Sequence, residues 1–246
     1  MQNEELILFF ILFLFMALPF FYIEEISAGA TDLILNEETS KHVIQVLRMG
    51  PGEQIRLTNG KGQLFTAEII SADRKKCTVK IIETTSVPPS SKKITIAISL
   101  IKNPGRFEWF LEKATEIGVA EIIPLICERT EKQHLRADRM KNILVSAMLQ
   151  SQQVWLPVLH EPVKFAEVIK QPWQQKFIAY CEGEENKELS AYRPYHSPII
   201  LIGPEGDFTQ AEIAQAIQHD FIPITLGNTR LRTETAGIVA AVICII

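Results

Sequence analysis

Charged and hydroxyl-bearing side chains are concentrated in residues 226–237, which read LGNTRLRTETAG. This segment connects an apolar run that predicts a strand to an apolar run that predicts a helix. Because that helix is apolar on all sides, it is expected to be buried, and Arg230, Arg232 and Glu234 at its start should pair with one another, with a ligand, or both. An arginine at a helix N-terminus opposes the helix dipole unless an anion is near, which favours an electron-rich ligand. A solvated surface loop is the alternative.

A glycine-rich loop in residues 201–212, LIGPEGDFTQAE, forms a second candidate site. Gly203 and Gly206 allow backbone N–H groups to approach a ligand closely, and Thr209 with Glu212 predicts a capping box at the start of a helix. Ligands of open α/β sheets bind at the carboxyl ends of strands, where this loop is expected to lie. A tight turn that only begins a helix is the alternative. The sequence contains neither the Rossmann glycine fingerprint nor the P-loop motif.

The elements that must position these two loops alternate between strand and helix from residue 94 onward. The predicted strands are ITIAISLI, AEIIPLIC, KFIAYC, PIILIG and FIPITLG. The predicted helices are RFEWFLEKATEIG, RADRMKNILVSAMLQS, TQAEIAQAIQH and GIVAAVICII. Nearly continuous apolar strands that alternate with helices indicate a parallel sheet buried on both faces. The predicted fold class of residues 94–246 is therefore α/β.

Residues 16–87 show a different pattern, in which short aromatic and β-branched runs alternate with turn signals. These runs are FFYIEEI, EQIRLTN, GQLFTAEIIS and KCTVKIIETT, and they predict a small β-barrel. One helix, SKHVIQVLRM, interrupts them, with Ser40 as its expected cap. Residues 88–93 contain a Pro-Pro pair that can continue neither a strand nor a helix, and they are predicted to be a linker.

The N-terminus carries an apolar run, LILFFILFLFMALPFF, that is slightly shorter than the ~18 residues that make a membrane-spanning helix the default interpretation. It is preceded by Glu4 and Glu5 and by no Lys or Arg, which is unlike a signal peptide. We interpret residues 1–15 as a dispensable or wrongly assigned extension before a start at Met16. A membrane anchor is the alternative.

Composition excludes several classes of protein. The net charge of −4 is unlike a protein that coats nucleic acid by bulk charge, although a local basic patch is compatible with it. The four cysteines are far apart and form no CxxC, so neither a metal site nor a disulfide framework is predicted. Free cysteines indicate a reducing compartment, and the expected location is the cytoplasm, with no membrane partner.

The two candidate loops, read together, resemble a known family. GPEGDFT followed by LGNTRLRTETA resembles the RsmE family of 16S ribosomal RNA uracil-N3 methyltransferases, in the SPOUT superfamily. HVIQVLRM, RFEWFLEKATEIGV, Arg129-Thr130 and Gln150-Ser151 extend the resemblance over nearly everything after Met16. The sequence departs from the family by having Ala-Leu-Pro before the first Phe-Phe, and Gln152-Gln153 after the Gln-Ser pair, where an arginine is usual.

The resemblance implies a fold, a cofactor and partners. The fold is a PUA-like RNA-binding β-barrel followed by a SPOUT-type parallel sheet that ends in a C-terminal trefoil knot. The cofactor is S-adenosylmethionine, and the partners are 16S rRNA in the small ribosomal subunit and a second copy of the chain. Matched by position, the cofactor-binding residues are Leu201, Ile202, Gly203, Glu205, Gly206, Leu226, Gly227, Arg230 and Leu231.

The implied reaction transfers a sulfonium methyl to N3 of uridine, which must lose its proton. Arginine donors directed at O2 and O4 would stabilise the anionic base. The expected catalytic residues are Arg232 for this role, Arg230 for orienting the cofactor or the base, and Glu234 for positioning an arginine or relaying the proton. A carboxylate that only complements the helix dipole is an equal alternative for Glu234.

RNA contacts are expected from local positive charge. The candidates for phosphate contacts are Arg48, Lys102, Arg106, Arg129, Arg136 and Arg139. Trp109 and Phe110 are expected in the core, and a stacking role is the alternative. Two other functions are compatible with the sequence: methylation of a different RNA nucleotide by the same superfamily, and a catalytically silent RNA-binding or ribosome-assembly factor.

Overall fold

A computed structural model of the protein describes residues 18–131, 135–180, 186–193 and 195–245. The predicted extension of residues 1–15 lies outside these residues. Within the described ranges, no helix is long and apolar enough to cross a bilayer. The chain divides into two compact units, residues 1–89 and residues 90–246. The domain limits inferred from the sequence, 16–87 and 94–246, remain proposals.

The first unit is a five-stranded sheet with its own core. Its order is β1-β3-β4-β5-β2, in which only β1 and β3 are parallel. Buried side chains of Leu35, Val43, Ile55 and Phe65 fill one side of the sheet, and polar residues alternate with apolar ones along β3 and β4. The strands are β1 (Phe20–Tyr22), β2 (Asp32–Ile34), β3 (Gln54–Thr58), β4 (Gln63–Ser71) and β5 (Thr78–Ser86).

The helical segment of this unit begins earlier than the sequence predicted. Helix α1 (Glu37–Lys41) is capped by Asn36, whose side chain accepts from the Thr39 N–H, and it continues as a π-helical turn over His42–Val46. Ser40, the predicted cap, is instead buried, where its hydroxyl donates to the Leu35 carbonyl and accepts from the Cys77 N–H. Ser40 thus fixes the helix to the sheet, and the prediction of its role was wrong.

The second unit is an eight-stranded parallel sheet in the order β11-β13-β10-β12-β6-β7-β8, with β9 also paired to β7. The central strands β6 and β12 are buried along their whole length, as expected for a sheet covered on both faces. The strands are β6 (Thr95–Ser99), β7 (Glu121–Ile126), β8 (Val158–Leu159), β9 (Val163–Lys164), β10 (Gln175–Ala179), β11 (Lys187–Glu188), β12 (Pro198–Ile202) and β13 (Ile222–Thr225).

In the described residues, four α-helices and one 3-10 turn, Leu189–Tyr192, connect these strands, and a fifth α-helix follows the last strand. Helix α2 (Pro104–Ile117) begins and ends as its sequence predicts, because Asn103 caps it and Gly118 ends it with a φ of 95° that favours glycine. The helices are α2 (Pro104–Ile117), α3 (Ala137–Gln150), α4 (Phe165–Val168), α5 (Gln210–Gln218) and α6 (Thr233–Ile245). The α/β fold class, preceded by a small β unit, is confirmed.

Two expectations about helix burial were wrong. Phe110 is fully buried, but Trp109 is 43% exposed, because the two residues are adjacent on α2 and therefore point about 100° apart. Helix α6 is buried on one side only. Gly237, Ala240 and Ala241 lie in the core, whereas Ile238 and Val242 are partly exposed. One side of α6 therefore faces the core of its own unit, and the other side, although also apolar, is partly exposed.

Helix α6 packs unusually close to the sheet and to α2 at Gly237. A Cβ atom at this position would lie 2.7 Å from Phe110 Cε2 and 3.0 Å from Ile98 Cδ1. Both neighbouring side chains are fully buried, so neither can move aside freely. The absence of a side chain at Gly237 is therefore what allows α6 to lie where it does.

Candidate functional site

The two loops singled out in the sequence meet at one edge of the parallel sheet. Strands β10, β12 and β13 are neighbours and parallel, so the segments that follow them come together at their carboxyl ends. There they enclose a cavity of about 610 Å³. It is lined by Ala179, Tyr180, Ile202, Gly203, Pro204, Glu205, Asp207, Ile224, Thr225, Leu226, Gly227, Asn228, Thr229, Arg230, Leu231, Arg232, Thr233 and Ala236.

Most of the residues expected to bind a cofactor line this cavity, namely Ile202, Gly203, Glu205, Leu226, Gly227, Arg230 and Leu231. Two others do not. Leu201 is fully buried in the core on the opposite face of the sheet from Ile202, because alternate residues of a strand point to opposite faces. Gly206 instead lines a smaller cavity beside the first. Sequence reasoning missed Tyr180 and Asp207; the position of Tyr180, directly after an apolar strand, was the signal that could have identified it.

The first loop is held in a compact turn. Asp207 has a φ of 63°, its N–H donates to the Pro204 carbonyl at 2.9 Å, and its side chain accepts from the Phe208 N–H at 2.8 Å. A Cβ on Gly203 would lie 3.1 Å from the Phe208 ring and 3.2 Å from the Phe208 nitrogen. Gly203 therefore lets the chain fold back on itself directly after β12. The turn leaves Gly203 and Pro204 on the wall of the cavity.

A buried carboxylate connects this loop to the segment after β7. The predicted capping box is confirmed, since Thr209 and Glu212 satisfy each other's backbone N–H groups. The other oxygen of Glu212 accepts from the Glu128 N–H at 2.8 Å, and the Glu128 carboxylate accepts from the Thr209 hydroxyl at 3.1 Å. Next to it, Arg129 Nη1 donates to the Gly206 carbonyl at 2.5 Å. Hydrogen bonds thus join residues 128–129 to residues 206–212.

The second loop holds its arginines at the surface. Gly227 has a φ of 120°, and its carbonyl accepts from the Thr225 hydroxyl at 2.9 Å. Arg230 and Arg232 are exposed, and their side chains form no ion pair or hydrogen bond within the part of the chain that the structure describes. The expectation that both would be buried was wrong, because only one side of α6 is covered, and neither arginine pairs with another described residue; pairing with a ligand stays a prediction. Both guanidinium groups remain free to bind a ligand at the cavity.

Glu234 is the buried charge of this junction. It is 6% exposed, and its Oε1 lies 3.7 Å from Nε of Arg106 on α2. Its Oε2 has no hydrogen-bond partner among the described residues. The residues that line the cavity do not include Glu234. Arg106, which was expected to contact an RNA phosphate, is therefore the ion-pair partner of Glu234. The sequence did not predict this pair, because the two residues are far apart along the chain.

The other candidates for RNA contacts are spread over the molecule, and several have intramolecular partners. Lys102 pairs with Glu131 at 2.7 Å, and Arg139 binds Glu108 through two hydrogen bonds. Arg136 is exposed directly before α3. Arg48, in the first unit, is exposed and has a φ of 57°, which is uncommon for a residue other than glycine.

Gln153 stands in the dipeptide where the family usually has an arginine. Its side-chain amide donates to the carbonyls of Thr115 and Glu116 at 2.8 and 3.0 Å. These carbonyls lie in the last turn of α2, where the regular helical hydrogen bonds end, and the Thr115 carbonyl also accepts from the Gly118 N–H at 3.0 Å. In this chain, the position therefore stabilises a helix end.

The buried cysteines are expected to be unreactive in the folded protein. Burial raises the pKa of Cys127 from 9.0 to about 12, with a smaller effect of Glu212, and burial raises the pKa of Cys244 to about 12. Between about pH 9 and about pH 12, both thiols stay protonated in the folded chain, whereas in the unfolded chain they ionise near pH 9. Stability contributed by the protonated thiols is therefore lost as pH rises from about 9 to about 12.

In a Cys181→Ser variant, we expect a thiol reagent at about pH 8.5 to label the native protein slowly and the denatured protein at once. Rapid stoichiometric labelling of the native protein would contradict this.

No group of three or more His, Cys, Asp or Glu side chains in the described ranges could hold a metal ion.

Comparison with known proteins shows which family has this arrangement. Residues 88–245 match an RNA methyltransferase domain, and residues 35–82 match an RNA methyltransferase PUA domain. The chain is 29% identical over 233 residues to the ribosomal RNA small subunit methyltransferase E of Bacillus subtilis, covering 88% of this chain and 90% of the relative. The enzyme of the same name from Synechocystis is 32% identical over 209 residues, covering 81% and 68%.

Solved structures agree with the sequence matches. A protein of Porphyromonas gingivalis is 39% identical, with a TM-score of 0.85 and coverage of 91% of this chain and 95% of that one. The ribosomal RNA small subunit methyltransferase E of Neisseria gonorrhoeae, bound to S-adenosylmethionine, is 30% identical, with a TM-score of 0.80 and coverage of 92% and 95%. A Legionella pneumophila protein, also solved with S-adenosylmethionine, is 32% identical, with a TM-score of 0.81 and coverage of 92% and 96%. The chain therefore belongs to the ribosomal RNA small subunit methyltransferase E family.

Proposed function

We propose that this protein transfers a methyl group from S-adenosylmethionine to N3 of one uridine in the 16S RNA of the small ribosomal subunit, in the cytoplasm. The observation that carries the proposal is the cavity at the carboxyl ends of β10, β12 and β13, whose walls are the two loops that resemble the family motifs. Relatives at 30% and 32% identity bind S-adenosylmethionine, and family members carry the name of a small-subunit rRNA methyltransferase.

The cavity fits S-adenosylmethionine in size and chemistry. Its volume of about 610 Å³ lies within the ~300–1,000 Å³ typical of small-molecule sites. Ile202, Ile224, Leu226 and Leu231 supply apolar walls of the kind that an adenine ring requires, and the backbone at Gly203 and Gly227 can approach the ligand closely. These residues would hold the cofactor. When bound, it supplies an electrophilic methyl group.

The residues of the chain would orient the base and stabilise its anion. Arg232 lines the cavity and has no described partner, so its guanidinium group can donate to the O2 or O4 atom of uracil, while Arg230, which also lines the cavity, is placed to orient the nucleotide. Donors held in place before the reaction stabilise the charge that develops when N3 loses its proton. Fixing the base and the cofactor side by side supplies the orientation that a direct transfer needs.

Glu234 is proposed as a positioning residue. Its contact is with Arg106, and it lies at the start of the helix that follows Arg232. The Arg232 carbonyl accepts from the Ala236 N–H at 2.8 Å, so the first turn of α6 and Arg232 are fixed together. Holding the first turn against α2 therefore fixes the backbone from which Arg232 extends. This geometry favours positioning over proton relay.

We further propose that two copies of the chain pair through α6, and that the chain around α6 forms the trefoil knot that the family resemblance implies. Thr235, Ile238, Val239 and Val242 follow one another at helical spacing on the partly exposed side of α6. A second copy would bury this apolar face. We expect sedimentation to show a dimer and a Val239→Glu variant to be monomeric while keeping its circular dichroism. A monomeric parent protein at micromolar concentration would contradict the pairing.

The reaction is tested with small ribosomal subunits that lack the modification. Purified protein and labelled S-adenosylmethionine are incubated with them, and the modified nucleoside is identified by mass spectrometry. N3-methyluridine at a single position is the expected product. A different methylated nucleotide would refute the N3-uridine assignment while keeping the enzyme class. No transfer and no cofactor binding would favour a silent RNA-binding factor.

A further inference from the structure

A smaller cavity of about 240 Å³ adjoins the proposed cofactor site. It is lined by Arg129, Tyr180, Gly206, Asp207, Phe208, Gln210, Ile213 and Arg230. Tyr180, Asp207 and Arg230 also line the larger cavity. A ligand in the small cavity would therefore be separated from the cofactor site by no more than these shared side chains.

The charges that face this cavity suit an anion. Arg129 and Arg230 bring two guanidinium groups to it, and Gln210, the first residue of α5, brings the positive end of a helix. Asp207 is the one carboxylate among its described lining residues, and it accepts a hydrogen bond from the Phe208 N–H. Glu128 and Glu212, which lie nearby, are hydrogen-bonded to Thr209 and to backbone N–H groups. The guanidinium N–H groups of Arg230 have no acceptor among the described residues.

The cavity is also held in shape by contacts that do not depend on a ligand. Arg129 Nη1 donates to the Gly206 carbonyl, and a Cβ on Gly206 would lie 3.3 Å from Arg129 Cδ. Glu212 joins the loop of Arg129 to the N-terminus of α5 through the Glu128 N–H. The half-buried Tyr180 lines both cavities. Arginine donors with an adjacent aromatic ring are the groups that bind the phosphate and the base of a single-stranded nucleotide.

We propose that this cavity binds the target nucleotide of the RNA, with Arg129 and Arg230 on its phosphate and Tyr180 against its base. The inference rests on the proposed methyltransferase function and adds the substrate subsite to it. Arg129, assigned from the sequence only as one of several surface cations, becomes a specific substrate-binding residue. The same placement sets the base beside the cavity that Arg232 lines.

A charge substitution at an exposed residue of α5 tests the proposal. Gln210→Glu places a carboxylate in the small cavity, where it repels a phosphate, yet an acidic residue in the first turn favours the helix. Gln215→Glu makes the same change on the exposed face of α5 outside the cavity and serves as the matched control. Gln210 does not line the larger cavity, so cofactor affinity should not change.

The probe is uridine 5′-monophosphate, titrated into the full-length protein saturated with S-adenosylhomocysteine and followed by NMR. We expect binding to the parent protein and to Gln215→Glu, and an affinity that is lower by about tenfold or more in Gln210→Glu and in Arg129→Ala. The KM for ribosomal subunits should rise by a similar factor in both variants, and the affinity of Gln210→Glu for S-adenosylmethionine should change less than about twofold.

The outcomes separate this inference from the proposed function. Nucleotide binding that is absent in the parent protein, or equal in Gln210→Glu and Gln215→Glu, overturns the subsite. A parent protein that methylates its RNA while Gln210→Glu and Arg129→Ala keep the parent KM overturns the subsite and leaves the enzyme intact. Nucleotide binding that is lost only in the cavity variants supports the subsite even if no transfer to ribosomal RNA is found.

Discussion

Replacing Arg232 with alanine is expected to lower kcat for methyl transfer by about 10²- to 10³-fold, the usual effect of removing one donor from an anionic transition state. Arg232 is exposed at the cavity, and no described side chain binds its guanidinium group. Its loss therefore removes the proposed ligand contact and none with another described residue. Initial rates of methyl transfer at varied RNA concentration should give kcat and KM separately, and calorimetry should give the affinity for S-adenosylmethionine.

The pattern of these constants identifies the role. A transition-state role lowers kcat and kcat/KM together and leaves the cofactor affinity nearly unchanged. Arg232→Lys keeps the charge but not the planar pair of donors, and should recover only part of the rate. Lys170→Ala removes an exposed charge of the same unit away from both cavities and should behave as the parent protein. A full rate in Arg232→Ala would remove Arg232 from the catalytic set.

The second large effect concerns stability. Gly237→Ala should lower the free energy of unfolding by about 1–3 kcal/mol, because the new methyl group overlaps Phe110 and Ile98 in a closely packed core. The sign is informative, since alanine in a helix interior would otherwise stabilise by about 1 kcal/mol relative to glycine. Chemical unfolding followed by tryptophan fluorescence measures it, because Trp109, Trp155 and Trp173 all lie in the second unit.

A double substitution shows whether the overlap is the cause. Phe110→Leu makes room beside residue 237, so its cost should be smaller in the Gly237→Ala background than in the parent protein. Gly29→Ala, which adds a Cβ with no heavy atom within 4 Å, is the control for the substitution itself, and its unfolding is followed by circular dichroism because Gly29 lies in the first unit. Additive effects of Phe110→Leu and Gly237→Ala, or a more stable Gly237→Ala protein, would refute the close-packing explanation.

Much of the fold followed from the order of apolar runs. Strands β6, β7, β10, β12 and β13 and helices α2, α3, α5 and α6 were predicted because each is long enough to show its own periodicity. Strands β8, β9 and β11 have two residues each and carry no such signal; they exist because a neighbouring strand supplies their hydrogen bonds. Trp109 was misplaced because an apolar residue in a helix does not reveal which neighbour will cover it.

The candidate site shows the same division. The glycine loop and the capping box were readable because their interactions are local: Thr209 and Glu212 are three residues apart. The pairing of Glu234 with Arg106 and the contact of Arg129 with Gly206 were not readable, because they depend on which helices and loops the sheet brings together. The charged junction was correctly located, but its exposure depended on how α6 is covered.

The hydrogen bond from Arg129 to the Gly206 carbonyl also has a thermodynamic consequence. It ties the loop that faces the proposed nucleotide to the loop that turns back against the cofactor cavity. Any ligand that reorients the guanidinium group shifts the equilibrium of the second loop, and such linkage is reciprocal: the factor by which RNA changes the affinity for cofactor equals the factor by which cofactor changes the affinity for RNA. Binding of RNA and binding of cofactor would then be coupled through one hydrogen bond, the one that the Gly206 carbonyl accepts from Arg129.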